Sequence, residues 1–361
     1  MKLKDKKIDL ELLEQSVAPL LAWYAEGHRE LPWRKNKNPY HIWVSEIMLQ
    51  QTRVEAVKPY YKRFMEAFPD VSDLANADDE RLLKYWEGLG YYSRIRNMKK
   101  AATIVHNEYN GKMPKKYEEL LRLPGIGSYT AGAIASIAYG EPVPAVDGNV
   151  FRILSRLRED ERNISLQATR KEIEQELRLI IPSDHAGDFN QALMELGATV
   201  CLPTGNPKCD SCPWNELCKA HANNHELNFP KKDKKKDRVI EKYTVLVLKD
   251  GNYVALKKRP EKGLLAGMYE LPMMEGHLDY REVLENLKAI GLAAIRIEVL
   301  ESAKHIFTHK EWHMIGYAVY VDELEKMNVS APEEMLFVLP EETKDKYPIP
   351  SAYKAYVKYV G

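Results

Sequence analysis

The sequence predicts a mainly α N-terminal region followed by a smaller α/β domain. Three observations predict it. Apolar residues recur at helical spacing from about residue 10 to 225. A charged run, PKKDKKKDR at 230–238, then breaks the pattern with six basic and two acidic residues. Beyond it, KYTVLVLKDGNYVALKKR gives two β-like runs around Asp250-Gly251, a strong hairpin signal.

Taken in order, RVEAVKPYYKRFMEAF, DERLLKYWEGL and ATRKEIEQELRLII carry the helical spacing, and Pro, Gly and Asn/Asp punctuate them. No alternating strand pattern and no internal repeat stands out there. The run at 230–238 is expected to be a solvated linker, with a phosphate-binding tail as the alternative. In the second domain, REVLENLKAIGL reads as a helix and EWHMIGYAVYVDEL as a strand. The expected organisation is residues 1–229, a basic linker at 230–238 and a domain at 239–361.

A chain of 361 residues can bury a core in each of two domains. Basic and acidic residues number 53 each, so net charge points to no partner. The halves barely differ: residues 1–240 hold 37 basic and 34 acidic groups, the remainder 16 and 19. The first fifteen residues mix both signs and lack the apolar core of a signal peptide. The uncharged run LPGIGSYTAGAIASIAYG at 123–140 contains four glycines and a proline, against a membrane span. A cytoplasmic monomer without membrane contact is expected, nucleoid-associated if bacterial.

All four cysteines, Cys201, Cys209, Cys212 and Cys218, fall within eighteen residues. Such clustering suits a metal site better than a disulfide framework. The gaps are seven, two and five residues. Zinc usually takes two close pairs; one pair flanked by two single cysteines suits an iron–sulfur cluster, with zinc kept as the alternative.

LPGIGSYTAGAI at 123–134 is a second motif. Gly125 and Gly127 can turn tightly and expose backbone N–H groups, and the helix from about Ser128 adds its positive end. That makes a phosphate seat, or else an ordinary inter-helix turn. Two carboxylates complete the set. Asp147 in PAVDGNV reads as a helix N-cap or as a functional carboxylate. Glu46 in HIWVSEIMLQQ shares a helical face with Ile42, Trp43 and Leu49. It is either a tolerated surface residue or a buried acid with a raised pKa.

These strings carry a resemblance. FNQALMELGATVC with the cysteines, and LPGIGSYTAGAI, resemble the endonuclease III superfamily of helix–hairpin–helix DNA glycosylases. LPWR at 31–34, SEIMLQQTRV at 45–54, GLGYYSRIRN at 88–97 and VDGNV at 146–150 resemble the MutY-type adenine DNA glycosylases. The resemblance spans nearly the whole chain. It implies a helix–hairpin–helix glycosylase fold with a 4Fe–4S cluster loop, and excision of adenine opposite 8-oxoguanine or guanine in double-stranded DNA.

It implies that Glu46 protonates the base, that Asp147 stabilises the oxocarbenium-like sugar, and that Tyr129 and Asn149 orient them. Many superfamily members carry a catalytic lysine where Tyr129 stands, so no efficient strand cleavage is expected. Trp33, Arg34 and Gln191 fall at pocket positions, Gln51 and Tyr91 at DNA-wedging ones, Leu89 at a substrate- or DNA-binding one, and Thr52 near the oxidised guanine. Arg94, Arg96, Lys99 and Lys100 form a candidate phosphate-facing strip. The family's first cysteine gap is six residues; the extra one here is expected to bulge at Thr204–Pro207.

Residues 239–361 resemble the Nudix-like C-terminal domain of the same family. KGLLAGMYELP matches its GLL-x-G-x-W-E-x-P string, with Tyr269 in place of tryptophan. The metal-binding glutamate pair of a working Nudix site is here Lys288-Ala289, so hydrolysis is not expected. The lesion-sensing Phe-Ser-His loop becomes Phe307-Thr308-His309, which keeps a hydroxyl and adds a methyl.

Overall fold

Asparagine and aspartate end the inter-helix breaks because their side chains can accept the first orphan N–H groups of a helix. Asn38 does so for Tyr40, Asp70 for Ser72, Asp78 for Arg81 and Asp147 for Asn149. The computed structural model describes residues 3–234, 237–322 and 335–361. Up to residue 234 the described chain is helical, without strands. The helices are α1 Leu3–Glu26, α2 Pro39–Leu49, α3 Val54–Ala67, α4 Val71–Ala75, α5 Asp79–Trp86 and α6 Ser93–Glu108. They continue as α7 Tyr117–Leu120, α8 Ser128–Tyr139, α9 Gly148–Arg158, α10 Gln167–Ile180, α11 Ala186–Thr199 and α12 Lys219–Ala222.

The chain divides into two units. The first comprises 1–76 and 97–234; the second comprises 77–96 and 235–361. The sequence pattern puts Ala77–Arg96 in the helical region, whereas its contacts group it with the second unit. In the first unit, Leu20, Leu154, Ile173 and Leu193 from α1, α9, α10 and α11 meet in one buried cluster. Trp214 joins it and donates from Nε1 to the Ser16 carbonyl at 2.8 Å, which ties the cysteine loop to α1.

The second unit holds a mixed sheet of β1 Val239–Asp250, β2 Tyr253–Lys258, β3 Tyr269–Glu270, β4 Met273–Glu275, β5 Ala294–Ile306, β6 Lys310–Val321 and β7 Met335–Val338. Its main path runs β3-β2-β1-β6-β5, with β4 on β1 and β7 on β2. β1 is parallel to β6, from Val239 opposite Lys310 to Lys249 opposite Tyr320. Both faces are covered, which is why TVLVL reads as a continuous apolar run. Val245 and Val247 face Trp312, Tyr353 and Tyr356. Leu246 and Leu248 face Val283 and Leu287 of helix α13, Tyr280–Ala289. Two short helices, α14 Glu342–Asp345 and α15 Lys354–Val357, close the chain.

The expected hairpin is present: Asp250 pairs with Tyr253 and leaves Gly251-Asn252 as the loop, with Gly251 at φ 54°. The strand β5 has no counterpart in the sequence reading. It lies at the sheet edge, exposes Ile295 and Val299, and shifts register twice, so its alternation is blurred.

One close approach governs the first unit. A Cβ on Gly132 of α8 would lie 2.3 Å from the Pro144 carbonyl oxygen. Nothing lies within 4 Å of one on Gly127, whose φ is −93°. Gly132→Ala is therefore expected to cost about 1–3 kcal/mol in thermal or denaturant unfolding, whereas Gly127→Ala leaves stability nearly unchanged.

Candidate active site

Helix α2 has no wet face: Tyr40 to Met48 are all buried except His41. Glu46 is carried inside with them, at 6% exposure. Its Oε2 accepts a hydrogen bond from the Tyr129 hydroxyl of α8 at 2.5 Å, and that hydroxyl also lies 3.6 Å from Met194 Sδ. Burial pushes the Glu46 carboxyl from 4.5 up to about 7; the Tyr129 bond and Arg34 oppose the rise, and Asp147 adds to it. Tyr129 is itself pushed well above its usual value by burial and by Glu46. So the pair is a phenol that stays protonated beside a carboxyl that titrates near neutrality.

Asp147 caps α9. Its Oδ1 accepts from the Asn149 and Val150 N–H groups at 2.8 and 2.9 Å, and Oδ2 accepts from Asn149 Nδ2 at 2.7 Å. These bonds lower its pKa, but burial outweighs them and the net direction is upward. The helix end alone therefore does not decide its charge. Asn149 Oδ1 in turn accepts from Arg152 at 3.0 Å, and the Arg152 guanidinium donates to the carbonyls of Gly197 and Cys201.

Asn190, which the sequence reading passed over, sets where Asp147 sits. It is fully buried on α11, accepts from the Ala145 N–H at 2.9 Å and donates to Ser136 Oγ and the Val143 carbonyl. The chain entering α9 is thereby fixed against α8, at the approach Gly132 permits. Nothing in FNQAL marks Asn190 apart from Gln191 beside it; Gln191 is half-buried on the same helix.

Other candidates fall differently. Trp33 is buried edge-on against Tyr61, with ring centroids 5.4 Å apart. Arg34 is committed to Glu195 of α11 at 2.9 Å, and Arg29 joins the same carboxylate at 2.6 Å. Glu195 is a further residue that the sequence does not mark, because its partners lie more than 160 residues away. Gln51 is exposed at φ 58°, a left-handed turn after α2, and Thr52 beside it is half-buried. Leu89 is buried at 6% exposure, so its side chain is not presented at the surface. Tyr91 is exposed at φ 48°. Arg94 and Arg96, two of the four residues of the expected phosphate-facing strip, donate to backbone carbonyls of Leu89, Gly90 and Ala266.

In the hairpin, only Gly125 needs left-handed backbone, at φ 77°. Gly127 is extended at the N-cap of α8, no side chain caps that helix, and the space over its α-carbon is open. The two glycines thus have different uses: one turns the chain, the other leaves the helix end approachable.

All four cysteines line one cavity, walled by Ile153, Leu196, Val200 and Trp214. Arg156 donates to Cys201 Sγ at 3.2 Å. Burial pushes the Cys209 and Cys212 thiols up to about 12, and Cys218 upward. Four thiolates could not share this cavity without a strongly cationic occupant, so the donor set fits a metal cluster. Lys208 N–H closes the loop on the Val200 carbonyl at 3.0 Å, and the chain at 203–206 is exposed, with Gly205 at φ 72°. His221 and Glu226, paired at 2.8 Å, stand beside Cys209. The short Cys218-x-x-His221 spacing is the only sequence signal for them.

In the second unit, Phe307, Thr308 and His309 form the tight β5–β6 turn, closed by Phe307 N–H on the Lys310 carbonyl at 2.8 Å. Phe307 packs on Trp312, Thr308 and His309 are exposed, and Thr308 Oγ1 lies 3.0 Å from the Tyr91 hydroxyl. Lys288 and Ala289 are exposed on α13. No helix among the described residues is long and apolar enough to cross a membrane.

Comparison with known proteins agrees with this fold. Residues 44–183 match the HhH-GPD superfamily of base excision DNA repair proteins, and 243–359 match the NUDIX domain. A thermostable thymine-DNA glycosylase structure superposes with a TM-score of 0.53 at 27% identity, covering 60% of this chain and 99% of that one. A trapped endonuclease III–DNA covalent intermediate gives 0.51 at 26% identity, covering 60% and 98%. Fold and site together define a DNA glycosylase of the helix–hairpin–helix class with a Nudix-like second domain.

Curated relatives narrow this. An adenine DNA glycosylase of Buchnera aphidicola (subsp. Baizongia pistaciae) is 37% identical over 80% of this chain and 82% of its own. The adenine DNA glycosylase of Mus musculus is 34% identical over 87% and 75%, and that of Homo sapiens 35% over 83% and 65%. The chain belongs to the adenine DNA glycosylase family.

Two outcomes test the electrostatics. A carboxyl raised from 4.5 to about 7 favours the protonated folded state, so its contribution to stability falls as pH rises through that window. Glu46→Gln should therefore gain about 3 kcal/mol over wild type in urea unfolding at pH 8, and nothing at pH 4. Glu195 behaves oppositely: Arg29 and Arg34 hold it low despite burial, so its stabilisation is present at neutral pH and fades as pH falls below the usual carboxylate range. Glu195→Ala should cost about 3–5 kcal/mol at pH 7, because it strands a half-buried guanidinium.

Proposed function

We propose that this protein is a base-excision repair glycosylase that removes adenine mispaired with 8-oxoguanine, and also with guanine, by hydrolysing the N-glycosidic bond. The observation that carries the reading is Glu46: a buried carboxyl, bonded to a phenol, that titrates near pH 7. A general acid is most effective when its pKa lies near the working pH. Adenine leaves the stack at a cost of a few kcal/mol and is brought to Glu46. Glu46 donates its proton to the five-membered ring and turns a poor leaving group into a neutral one.

The bond then breaks with positive charge growing on the deoxyribose. Asp147, oriented by Asn149 and two backbone N–H groups, stabilises that charge until a water adds to the sugar carbon and loses a proton, which completes the hydrolysis. Burial raises its pKa; the growing cation supplies the opposite charge that favours ionisation. Tyr129 holds the Glu46 carboxyl in place. It has no amine, so no Schiff base with the sugar forms there and the strand stays intact. Gln191 is assigned to the adenine edge, since one amide can donate and accept at once.

Cys201, Cys209, Cys212 and Cys218 are assigned to a 4Fe–4S cluster, which supplies structural cross-linking of the loop when bound. The hairpin at Gly125–Gly127 and the open end of α8 are assigned to a DNA phosphate. Gln51, Thr52 and Tyr91 are assigned to the duplex around the extruded base, and Phe307-Thr308-His309 to the oxidised guanine. The Nudix-like domain reads the lesion and does not hydrolyse nucleotides.

Glu46→Gln should abolish single-turnover adenine release while binding of the duplex stays within about threefold of wild type, since one proton donor is worth about 10²–10⁴ in rate. Normal excision by that variant would overturn the assignment. Borohydride trapping should yield little enzyme–DNA adduct; an adduct as abundant as that of a lysine-bearing superfamily member would refute the monofunctional reading.

A further inference from the structure

Tyr269 stands where the family string carries tryptophan, and the structure gives its phenol a partner. The hydroxyl donates to Glu80 Oε1 at 2.6 Å, and Lys258 Nζ reaches the same oxygen at 2.9 Å. The Tyr269 ring is 3% exposed, stands edge-on to Tyr347 at 4.8 Å, and is held by its own N–H on the Pro348 carbonyl. Glu80 lies in the first turn of α5, within the Ala77–Arg96 segment that groups with the second unit. The same segment is tied by Lys84 Nζ to the Thr343 and Tyr347 carbonyls and by Arg96 to the Ala266 carbonyl. It also carries Tyr91, whose hydroxyl meets Thr308.

Magnitudes separate these ties. Lys258 and Glu80 are 41% and 35% exposed, and an exposed ion pair of that kind contributes little. The Tyr269 bond ends on a charged acceptor and comes from a ring already immobilised by packing. Such bonds are shorter and stronger than neutral ones, and little rotamer freedom remains to be lost.

We propose that Tyr269 is a positioning residue for lesion discrimination: through Glu80 it fixes the segment 77–96, and so holds Tyr91 against Thr308. The inference rests on the lesion-reading role proposed above for the Phe307–His309 turn. It accounts for a departure from the family string by a contact that uses the tyrosine hydroxyl.

The test uses the full chain with Tyr269→Phe, Glu80→Ala and Glu80→Gln. Amide hydrogen exchange of residues 77–96 in the DNA-free protein should quicken about tenfold in Tyr269→Phe and Glu80→Ala, the effect of one charge-assisted hydrogen bond. Glu80→Gln keeps a neutral acceptor for the phenol and should restore part of the protection, to a level between Glu80→Ala and wild type. Single-turnover preference for adenine opposite 8-oxoguanine over adenine opposite guanine should fall about fivefold or more in the first two variants. Excision opposite guanine should stay within about twofold of wild type. The proposal is overturned if exchange in 77–96 is unchanged by Tyr269→Phe, or if both substrates slow equally, which is general destabilisation. If wild type itself shows no preference for 8-oxoguanine, the proposed function fails instead; the exchange arm then still reports on the tyrosine.

Discussion

Glu46 is kept out of water on a helix that is buried throughout from Ile42 to Met48, and the first unit is arranged around that constraint. A carboxyl in such a place is unstable in its charged form and needs at least one donor. Tyr129 provides it from α8. The cost in folding free energy is the source of the chemistry: the same desolvation that penalises the charge brings the proton near its working pKa. A surface glutamate would be stable and useless, being ionised at neutral pH.

Placing the second carboxylate follows from backbone packing rather than from charge. Gly132 lets α8 approach the Pro144–Ala145 chain, Asn190 locks that chain in place, and Asp147 is then delivered as an N-cap. Gly197 plays a similar part lower down, where a Cβ would lie 2.8 Å from Asn149 Cβ. Through Arg152 the same residues reach the carbonyl of Cys201. The cysteine loop therefore shares hydrogen bonds with the residue that orients Asp147, without itself touching the carboxylates.

What the sequence revealed depended on the range of the interaction. Helices, caps and the Asp250-Gly251 hairpin were legible because their signals are local. Glu46 was visible as an anomaly on an apolar face, but choosing between a surface group and a buried acid took its resemblance, and the structure supplies the burial. Glu195 and Asn190 were invisible, since each acts on partners far along the chain. Strand β5 was missed because edge exposure and two register shifts hide its alternation. Arg94 and Leu89 illustrate the converse: motif position suggests DNA contact, whereas local packing turns these side chains to backbone or core.

The most direct check on this account is the titration of Glu46 itself. Carboxyl ¹³C shifts of the selectively labelled, DNA-free protein, assigned by comparison with Glu46→Gln, would follow one group without any reaction. The account predicts a midpoint near 7, well separated from the bulk of the glutamates. A midpoint in the ordinary range around 4–5 would contradict it, because Glu46 would then hold no proton to give at neutral pH.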